Sequence, residues 1–252
     1  MKLESFGLSD VGLRRTHNED SFHRCDDTGL YLVADGMGGH AAGEVASNNA
    51  IEAIVEFSLQ HQGNDATWPF DFDPAYNRAI NVLITGVRAA NQRLYNMQRE
   101  QPELSGMGTT IAGILIQDSA AVAVHVGDSR VYRWRNEELK QVTSDHSWVN
   151  EQLMKKIITP EEARNHRYKN VITRALGNRV DIEVEVGMDD LKPGDIYMIC
   201  SDGLSGMVED SVMTEILKTT PGLREAANRL VAAANEAGGH DNITVVLIRA
   251  VE

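Results

Sequence analysis

Cysteine is nearly absent from this chain of 252 residues, which contains only Cys25 and Cys200. Two cysteines, one of them inside an apolar segment, are not a disulfide framework and indicate reduced, buried thiols in a cytoplasmic protein. Positive charge is also scarce, because 24 Lys and Arg residues stand against 37 Asp and Glu residues and the formal net charge is −13. This charge argues against non-specific binding of nucleic acid or of an anionic membrane.

Long hydrophobic runs, a signal peptide, internal repeats and low-complexity segments are missing as well. The apolar runs are far shorter than a membrane span, and residues 1–4 (MKLE) do not resemble a secretion signal. We therefore expect a cytoplasmic protein without membrane attachment. The apolar content of 42% suits a sizeable core, and of one large or two small domains we favour a single domain over residues 1–252.

The chain is organised around the stretch 30–40, which reads LYLVADGMGGH. Its five leading apolar residues predict a strand buried on both faces, which ends on Asp35. Gly36 would let the backbone approach whatever Asp35 holds, although a tight turn with a solvated aspartate is the alternative interpretation. The same pattern, an apolar run ending on aspartate, recurs at Asp128 and Asp202. Aspartates at several strand ends suggest one shared site that could bind a metal.

The spacing of apolar residues predicts two antiparallel sheets flanked by helices. Connections at 117–119 and 136–137 are so short that the segments they join must form antiparallel hairpins. Several of these strands are apolar without alternation, so both of their faces must be covered. We predict an α+β fold, a four-layer α-β-β-α sandwich. Four further segments have predicted bounds: a helix over about 42–59, a helix from Asp73 and Pro74 to about Arg99, and strands over 182–186 and 196–200.

Residues 145–178, called the flap segment below, break this pattern. They are polar and favour helices, with a capping box that begins at Thr159. The segment also concentrates basic residues in an acidic protein: Lys155, Lys156, Arg164, Arg167, Lys169 and Arg174. It is either an interaction flap or an ordinary solvated surface.

Clustered carboxylates would have a specific chemical consequence. If Asp20, Asp35, Asp202 and Asp241 converge, their like charges raise one another's pKa unless cations neutralise them. All the candidate ligands are hard oxygen donors, which favours Mg²⁺ or Mn²⁺ over zinc. Two such ions ~3.5–4 Å apart can hold a bridging water, lower its pKa and stabilise in-line displacement at phosphorus.

The sequence lacks the motifs of other phosphoryl-transfer chemistries. No arginine follows Cys25 or Cys200 at the spacing of a cysteine-based phosphate loop. The only candidate aspartyl-phosphate motif, 71–75 (DFDPA), lacks its threonine and does not follow a buried strand. No Gly-x-x-x-x-Gly-Lys-Ser/Thr loop is present. The sequence therefore offers metals and water, and no covalent nucleophile.

At this point the chain resembles the metal-dependent protein phosphatases of type 2C, the PPM family, in their compact bacterial form. Each matching motif is weak alone, but together they follow the family order almost from end to end. The motifs occupy residues 15–21, 33–40, 108–110, 126–130, 145–147, 170–177, 201–204 and 241–244. The family fold is the same four-layer sandwich.

The resemblance implies a set of metal ligands. Asp35 corresponds to the carboxylate that bridges two Mn²⁺ or Mg²⁺ ions, with Gly36 contributing its carbonyl. Asp128 corresponds to the residue that, with Asp202, holds a third and weaker metal. The remaining implied ligands are Asp20, Asp202, Asp241 and, through water, Glu19.

The resemblance also implies residues that handle the substrate. Arg15 corresponds to the arginine that grips the substrate phosphate. Met37 stands where other members have a proposed general-acid histidine, so His40 is the nearest candidate; a metal-bound water is the alternative acid, and His40 is equally compatible with a structural role. In the flap segment, His166 and Arg174 are the candidates for contact with a phosphopeptide.

Taken together, the sequence predicts a monomeric, cytoplasmic phosphoserine/phosphothreonine protein phosphatase. It would hydrolyse phosphoproteins in one step with water held by two divalent metals, and would oppose a bacterial Ser/Thr kinase. Two alternatives from other classes are a pseudophosphatase that binds phosphoproteins without turnover and a scaffold with structural cation sites. The complete ligand set argues against the first, and its origin in distant parts of the chain argues against the second.

Overall fold

The computed structural model describes residues 1–39, 41–61, 68–70 and 72–251, and within them two antiparallel sheets lie face to face. The first sheet has the strand order β1 (Lys2–Asp10), β11 (Ile243–Val251), β10 (Ile196–Cys200), β7 (Arg130–Arg135) and β8 (Glu138–Gln141). The second has the order β2 (Asp20–Cys25), β3 (Leu30–Met37), β5 (Ile111–Gln117), β6 (Ala120–Val126) and β9 (Glu185–Asp190), and the short β4 (Gly108–Thr109) pairs with β3.

Helices cover the outer face of each sheet. Helices α1 (Ala41–Gln60) and α2 (Arg78–Glu100) pack on the second sheet, and α5 (Asp202–Ser205), α6 (Asp210–Thr219) and α7 (Leu223–Glu236) pack on the first. The flap segment contains the short helices α3 (Trp148–Met154) and α4 (Pro160–Arg164). A third core, between the sheets, includes Tyr31, Val33, Tyr197 and Val246. Three cores between four layers confirm the predicted α-β-β-α sandwich.

The two predicted hairpins are confirmed, and their turns show why these residues occur there. The β7–β8 turn consists of Asn136 and Glu137, which both have positive φ, at 53° and 62°. Two consecutive positive φ angles match the right-handed twist of the strands they join. The β5–β6 turn similarly has Asp118 at φ 56°.

Two predicted boundaries are wrong for reasons that involve side-chain contacts. Helix α2 begins at Arg78, because Asn77 is its N-cap and accepts the Ile80 N–H at 2.9 Å. Asp73 instead accepts the Ala75 N–H at 2.8 Å in a separate turn. The strand predicted over 182–186 lies at Glu185–Asp190, since pairing with β6 sets its register.

The capping box that the sequence predicts at Thr159 is present. The Thr159 hydroxyl accepts the Glu162 N–H, and the Glu162 carboxylate accepts the Thr159 N–H at 2.7 Å. Within the described ranges, none of the helices combines the length and the apolar character that a membrane span requires.

Candidate metal centre

Asp20 and Asp35 lie directly opposite each other where β2 begins and β3 nears its end. Because opposite residues of an antiparallel pair project to the same face, both carboxylates point to one side of the sheet. Thr109 and Thr110, which lie beside the end of β3, both form hydrogen bonds with the backbone of Asp35. Its N–H donates to the Thr110 hydroxyl at 3.1 Å, and its carbonyl accepts the Thr109 hydroxyl at 2.8 Å and the Thr110 N–H at 2.9 Å.

The first sheet supplies Asp202, the first residue of α5, and Asp241, which precedes β11. The backbones of these two segments touch at Gly203, where an added Cβ would lie 1.9 Å from the Asn242 carbonyl oxygen. A glycine is therefore required at this position, and the contact brings Asp202 next to Asp241.

Ser201 joins the two sheets at the centre. Its hydroxyl donates to Asp20 Oδ2 at 2.8 Å and accepts the Thr244 N–H at 3.0 Å. One buried hydroxyl thus fixes the orientation of a carboxylate on β2 relative to β10 and β11.

Asn242 holds the loop that carries Arg15 and Glu19. Its side-chain oxygen accepts the Glu19 N–H at 2.8 Å, and its amide nitrogen donates to the carbonyls of Val11 at 3.0 Å and His17 at 2.9 Å. The Glu19 carbonyl in turn accepts the Gly36 N–H at 3.1 Å. The Asn242 side chain therefore holds residues 11–19 beside β11, and the Glu19 backbone links this loop to β3.

The carboxylates of this cluster destabilise one another's charged forms. Burial, followed by the charges of Asp202 and Asp241, raises the pKa of Asp20 to about 7. Burial, followed by the charges of Asp20, Asp202, Asp128 and Asp241, raises the pKa of Asp35 well above its ordinary value. Burial and the charge of Asp202 raise the pKa of Asp128 to about 7, and burial and Asp241 raise that of Asp202.

Two oxygens of the cluster receive no hydrogen bond from the residues that the structure describes. Asp20 Oδ1 and Asp202 Oδ1 are buried and accept none within the described part of the chain. Buried polar atoms in folded proteins almost always have a partner, so these two oxygens point to a missing one. Divalent cations with a preference for oxygen ligands satisfy the oxygens and neutralise the charges together. The residues present therefore fit Mg²⁺ or Mn²⁺.

Arg15 lies at the solvent-facing rim of the centre. Its side chain is 49% exposed, and Nη2 lies 2.7 Å from Asp241 Oδ2. The guanidinium is thus available to an anion that approaches from solvent. His40, the candidate general acid, lies outside the described residues, so its role stays a prediction.

The two candidate residues of the flap segment are engaged within the protein. The Arg174 guanidinium pairs with Glu183 at 2.9 Å and Glu185 at 3.4 Å. The His166 ring stacks on Trp148 with centroids 4.7 Å apart, and its Nδ1 accepts the Tyr168 N–H at 3.2 Å. Their contact with a phosphopeptide stays a prediction; the exposed basic residues of the segment are Lys155, Lys156, Arg164, Arg167 and Lys169.

Sequence reasoning gave no role to a cluster beside the centre, in which potential metal ligands of His125, His146 and Glu185 lie within 4.8 Å of one another. His146 Nδ1 accepts the Gly127 N–H at 3.1 Å, so the neutral ring carries its proton on Nε2, which lies 3.0 Å from Glu185 Oε1. A metal at that nitrogen would require an imidazolate, and the Arg174 guanidinium already lies 3.3 Å away. The cluster is therefore a hydrogen-bonded network; the Asp145–Ser147 motif was its only sequence signal.

Comparison with known proteins relates this centre to a family. The chain matches the family model for protein phosphatase 2C over residues 13–247. It is 37% identical over 248 residues to the serine/threonine phosphatase Stp of Listeria monocytogenes, a match that covers 95% of this chain and 93% of Stp. It is 39% identical over 244 residues to the serine/threonine protein phosphatase PstP of Mycobacterium tuberculosis, covering 97% of this chain. The match covers 44% of PstP, so this chain spans less than half of that relative's length.

Solved structures agree with this match. The crystal structure of Mycobacterium tuberculosis PstP has a TM-score of 0.89 and 38% identity, with 100% of both chains covered. The catalytic domain of PstP in complex with two manganese ions has a TM-score of 0.86 and 38% identity, with 100% of this chain and 99% of that chain covered. Because the family model spans most of the sequence and close relatives align along nearly all of it, this chain belongs to the protein phosphatase 2C family.

Proposed function

We propose that this chain is a metal-dependent protein phosphatase that hydrolyses phosphoserine and phosphothreonine in proteins without a covalent enzyme intermediate. The observation that carries the proposal is the convergence of five aspartates from both sheets, two of them with buried oxygens that accept no hydrogen bond from the described residues. These aspartates are Asp20, Asp35, Asp128, Asp202 and Asp241. Cys25 lies at the other end of β2 from Asp20, and the Cys200 side chain packs in the core between the first sheet and its helices, so neither thiol is placed as a nucleophile at the centre.

The residues that would hold the metals are assigned from their positions in the cluster and from the family motifs. We assign Asp35 and the Gly36 carbonyl to the central position, and Glu19 to a water-mediated one. Asp20, Asp202 and Asp241 complete the centre, with Asp128 at a weaker third site. When bound, divalent cations supply Lewis-acid chemistry: they lower the pKa of water and neutralise charge on the phosphoryl group.

The protein's own residues bind and orient the substrate. Arg15 carries a planar guanidinium that matches two phosphate oxygens, and its exposure at the rim leaves it accessible to a phosphorylated side chain. The pairing with Asp241 keeps the guanidinium beside the centre when no phosphate is present. The exposed arginines and lysines of the flap segment supply positive charge for the protein that carries the phosphate.

A direct experiment measures phosphate release from phosphoserine, phosphothreonine and phosphotyrosine peptides and from p-nitrophenyl phosphate, with Mn²⁺, Mg²⁺ or EDTA. We expect hydrolysis of phosphoserine and phosphothreonine peptides only with added metal. Full activity in EDTA would contradict the proposal, and metal binding without turnover would instead indicate a protein that only binds phosphoproteins. Finer proposals are a monomeric state, a cytoplasmic location and opposition to a cognate Ser/Thr kinase.

A further inference from the structure

Gly127, which precedes Asp128, and Ser129 and Arg130, which follow it, each form hydrogen bonds with another segment of the chain. Gly127 is bonded to His146, and the Ser129 hydroxyl lies 2.7 Å from the Thr110 hydroxyl. The Arg130 guanidinium forms a double contact with Asp145, at 2.9 Å from Nε to Oδ1 and 2.7 Å from Nη2 to Oδ2. Two of these three partners are the first two residues of the flap segment.

The contact between Gly127 and His146 is reciprocal. The His146 N–H donates to the Gly127 carbonyl at 2.8 Å, and the Gly127 N–H donates to His146 Nδ1 at 3.1 Å. Gly127 has φ 112°, and an added Cβ would lie 2.6 Å from the Thr110 Cγ2 atom. Glycine is required here, and its conformational freedom leaves the direction of the chain into Asp128 dependent on external contacts.

The His146 ring is itself fixed on its other sides. Its Nε2 lies 3.0 Å from Glu185 Oε1, and its face stacks on His125 with centroids 4.4 Å apart and an interplanar angle of 23°. The His146 carbonyl accepts the Thr173 N–H at 2.8 Å, so the two ends of the flap segment meet at this residue. A buried ring held on three sides presents Nδ1 to Gly127 in one orientation.

We propose that His146 is a positioning residue that sets the direction of the Asp128 carboxylate through Gly127, and so ties the base of the flap segment to the weaker metal site. The proposal rests on the proposed function, because it takes Asp128 as a metal ligand. His146 contacts none of Asp20, Asp35, Asp202 and Asp241 in the described hydrogen bonds and ion pairs. Among the five aspartates, Asp128 is the one that directly follows the glycine bonded to His146 Nδ1, so loss of this acceptor acts first on Asp128.

Two substitutions separate the two sides of the ring. H146N places an oxygen where Nδ1 lies, so it keeps an acceptor for the Gly127 N–H but loses the contact with Glu185. H146Q places its amide near Nε2, so it keeps a partner for Glu185 but loses the acceptor for Gly127. E185Q is the matched control. It weakens the contact between His146 Nε2 and residue 185, and it leaves the bond between the Gly127 N–H and His146 Nδ1 unchanged.

The readouts are Mn²⁺ titration calorimetry, kcat and KM, and hydrogen exchange of the Gly127 amide without metal. For H146Q we expect the weak site and kcat to fall by about ten- to a hundredfold, as is usual for residues that orient a ligand, with unchanged tight sites and KM and faster Gly127 exchange. H146N and E185Q should stay within about threefold of the parent. Equal losses in H146N and H146Q, or a parental weak site in H146Q, would overturn the proposal.

A measurement on the unmodified protein keeps the test independent of folding of the variants. Long-range ¹H–¹⁵N correlation spectra should show His146 with an unprotonated Nδ1 and a protonated Nε2. The opposite tautomer would overturn the proposal, since it has no acceptor for Gly127. An inactive parent that still binds Mn²⁺ contradicts the proposed function alone, because calorimetry measures the Asp128 site without turnover.

Discussion

Asp35 lies where β2 and β3 meet Thr109 of β4 and the adjoining Thr110, and both its backbone N–H and its carbonyl are hydrogen-bonded there. Replacing it by asparagine preserves the shape and removes one negative charge from the centre. We expect Asp35→Asn to remain folded and to lose roughly a thousandfold or more in kcat with Mn²⁺, since metal ions contribute several kcal/mol to such reactions. Asp27→Asn, at an exposed aspartate of the same hairpin, is the control. Parental turnover in Asp35→Asn would rule out the assignment.

Arg15 contacts a group that is charged before and during the reaction. Because a phosphate monoester already carries its negative oxygens in the ground state, Arg15→Ala should mainly raise KM, by roughly tenfold to a hundredfold. Arg15→Lys keeps the positive charge but lacks the planar guanidinium that contacts two phosphate oxygens, so its KM should lie between those of the parent and Arg15→Ala. Steady-state kinetics on p-nitrophenyl phosphate measure both. A loss confined to kcat would place Arg15 in transition-state stabilisation.

Asp128 distinguishes a structural turn from a third metal site. Asp128→Asn keeps the size and most hydrogen bonds, so a purely structural aspartate predicts nearly unchanged activity. A role in holding a weakly bound cation predicts loss of one weak site in calorimetry and a kcat lower by roughly tenfold or more. Loss of the weak site with unchanged kcat would show that the third ion is dispensable. If both the metal stoichiometry and kcat stay unchanged, Asp128 has only a structural role in its turn.

The sequence predicts which residues belong to the centre where a local sequence pattern marks them. Asp35, Asp128 and Asp202 each follow a continuous apolar run, which the sequence displays directly. Ser201 and Asn242 could not be given their roles in this way. The Ser201 hydroxyl bonds to a carboxylate 181 positions away, and Asn242 bonds to the Glu19 backbone 223 positions away. Such contacts exist only once the two sheets are stacked.

At the scale of elements, the flap segment carries exposed positive charge on a chain of net charge −13. If the flap segment contacts the protein that carries the phosphate, Arg164→Ala and Arg167→Ala should lower kcat/KM for phosphopeptides by roughly threefold to tenfold, because each removes an exposed positive charge. Turnover of p-nitrophenyl phosphate, which is too small to reach them, should stay unchanged. Arg93→Ala, at an arginine of α2 paired with α1, is the control. Equal losses on both substrates would place these arginines in the catalytic core.

Helices and strands were predictable where burial and local pattern agree. Strand β10 has the predicted bounds, and α1 differs from its prediction by one residue at each end. The prediction of a strand over 182–186 is wrong because it rests on the apolar residues Ile182 and Val184. These two side chains pack against the core under α1 and α2 without being part of a strand. Pairing with β6 decides which residues form β9, and a sequence pattern does not contain that register.

At the scale of the whole molecule, the acidic centre makes stability depend on pH and metal. The pKa of Asp20 and of Asp128 is about 7 in the folded protein, against an ordinary value of 3.8. The folded state therefore binds more protons than the unfolded chain between these values, so the free energy of unfolding falls as pH rises through that interval.

With EDTA present, we expect the Tm to fall by roughly 5 °C or more between about pH 5.5 and pH 8. Saturating Mg²⁺ should remove most of this decrease, since bound cations stabilise the charged carboxylates. Scanning calorimetry across that range measures both curves. A Tm in EDTA that is flat or rises toward pH 8 would contradict the electrostatic account of the centre.

The central claim is that aspartates from the two sheets form one centre whose metals are required for phosphate release. Its most direct test pairs Mn²⁺ calorimetry with phosphate release from a phosphothreonine peptide, in the parent and in Asp35→Asn. The account predicts at least two bound ions per parent chain and metal-dependent release. It predicts weakened binding and no measurable release in the variant. Undiminished Mn²⁺ binding in Asp35→Asn, or release by the parent in EDTA, would contradict it.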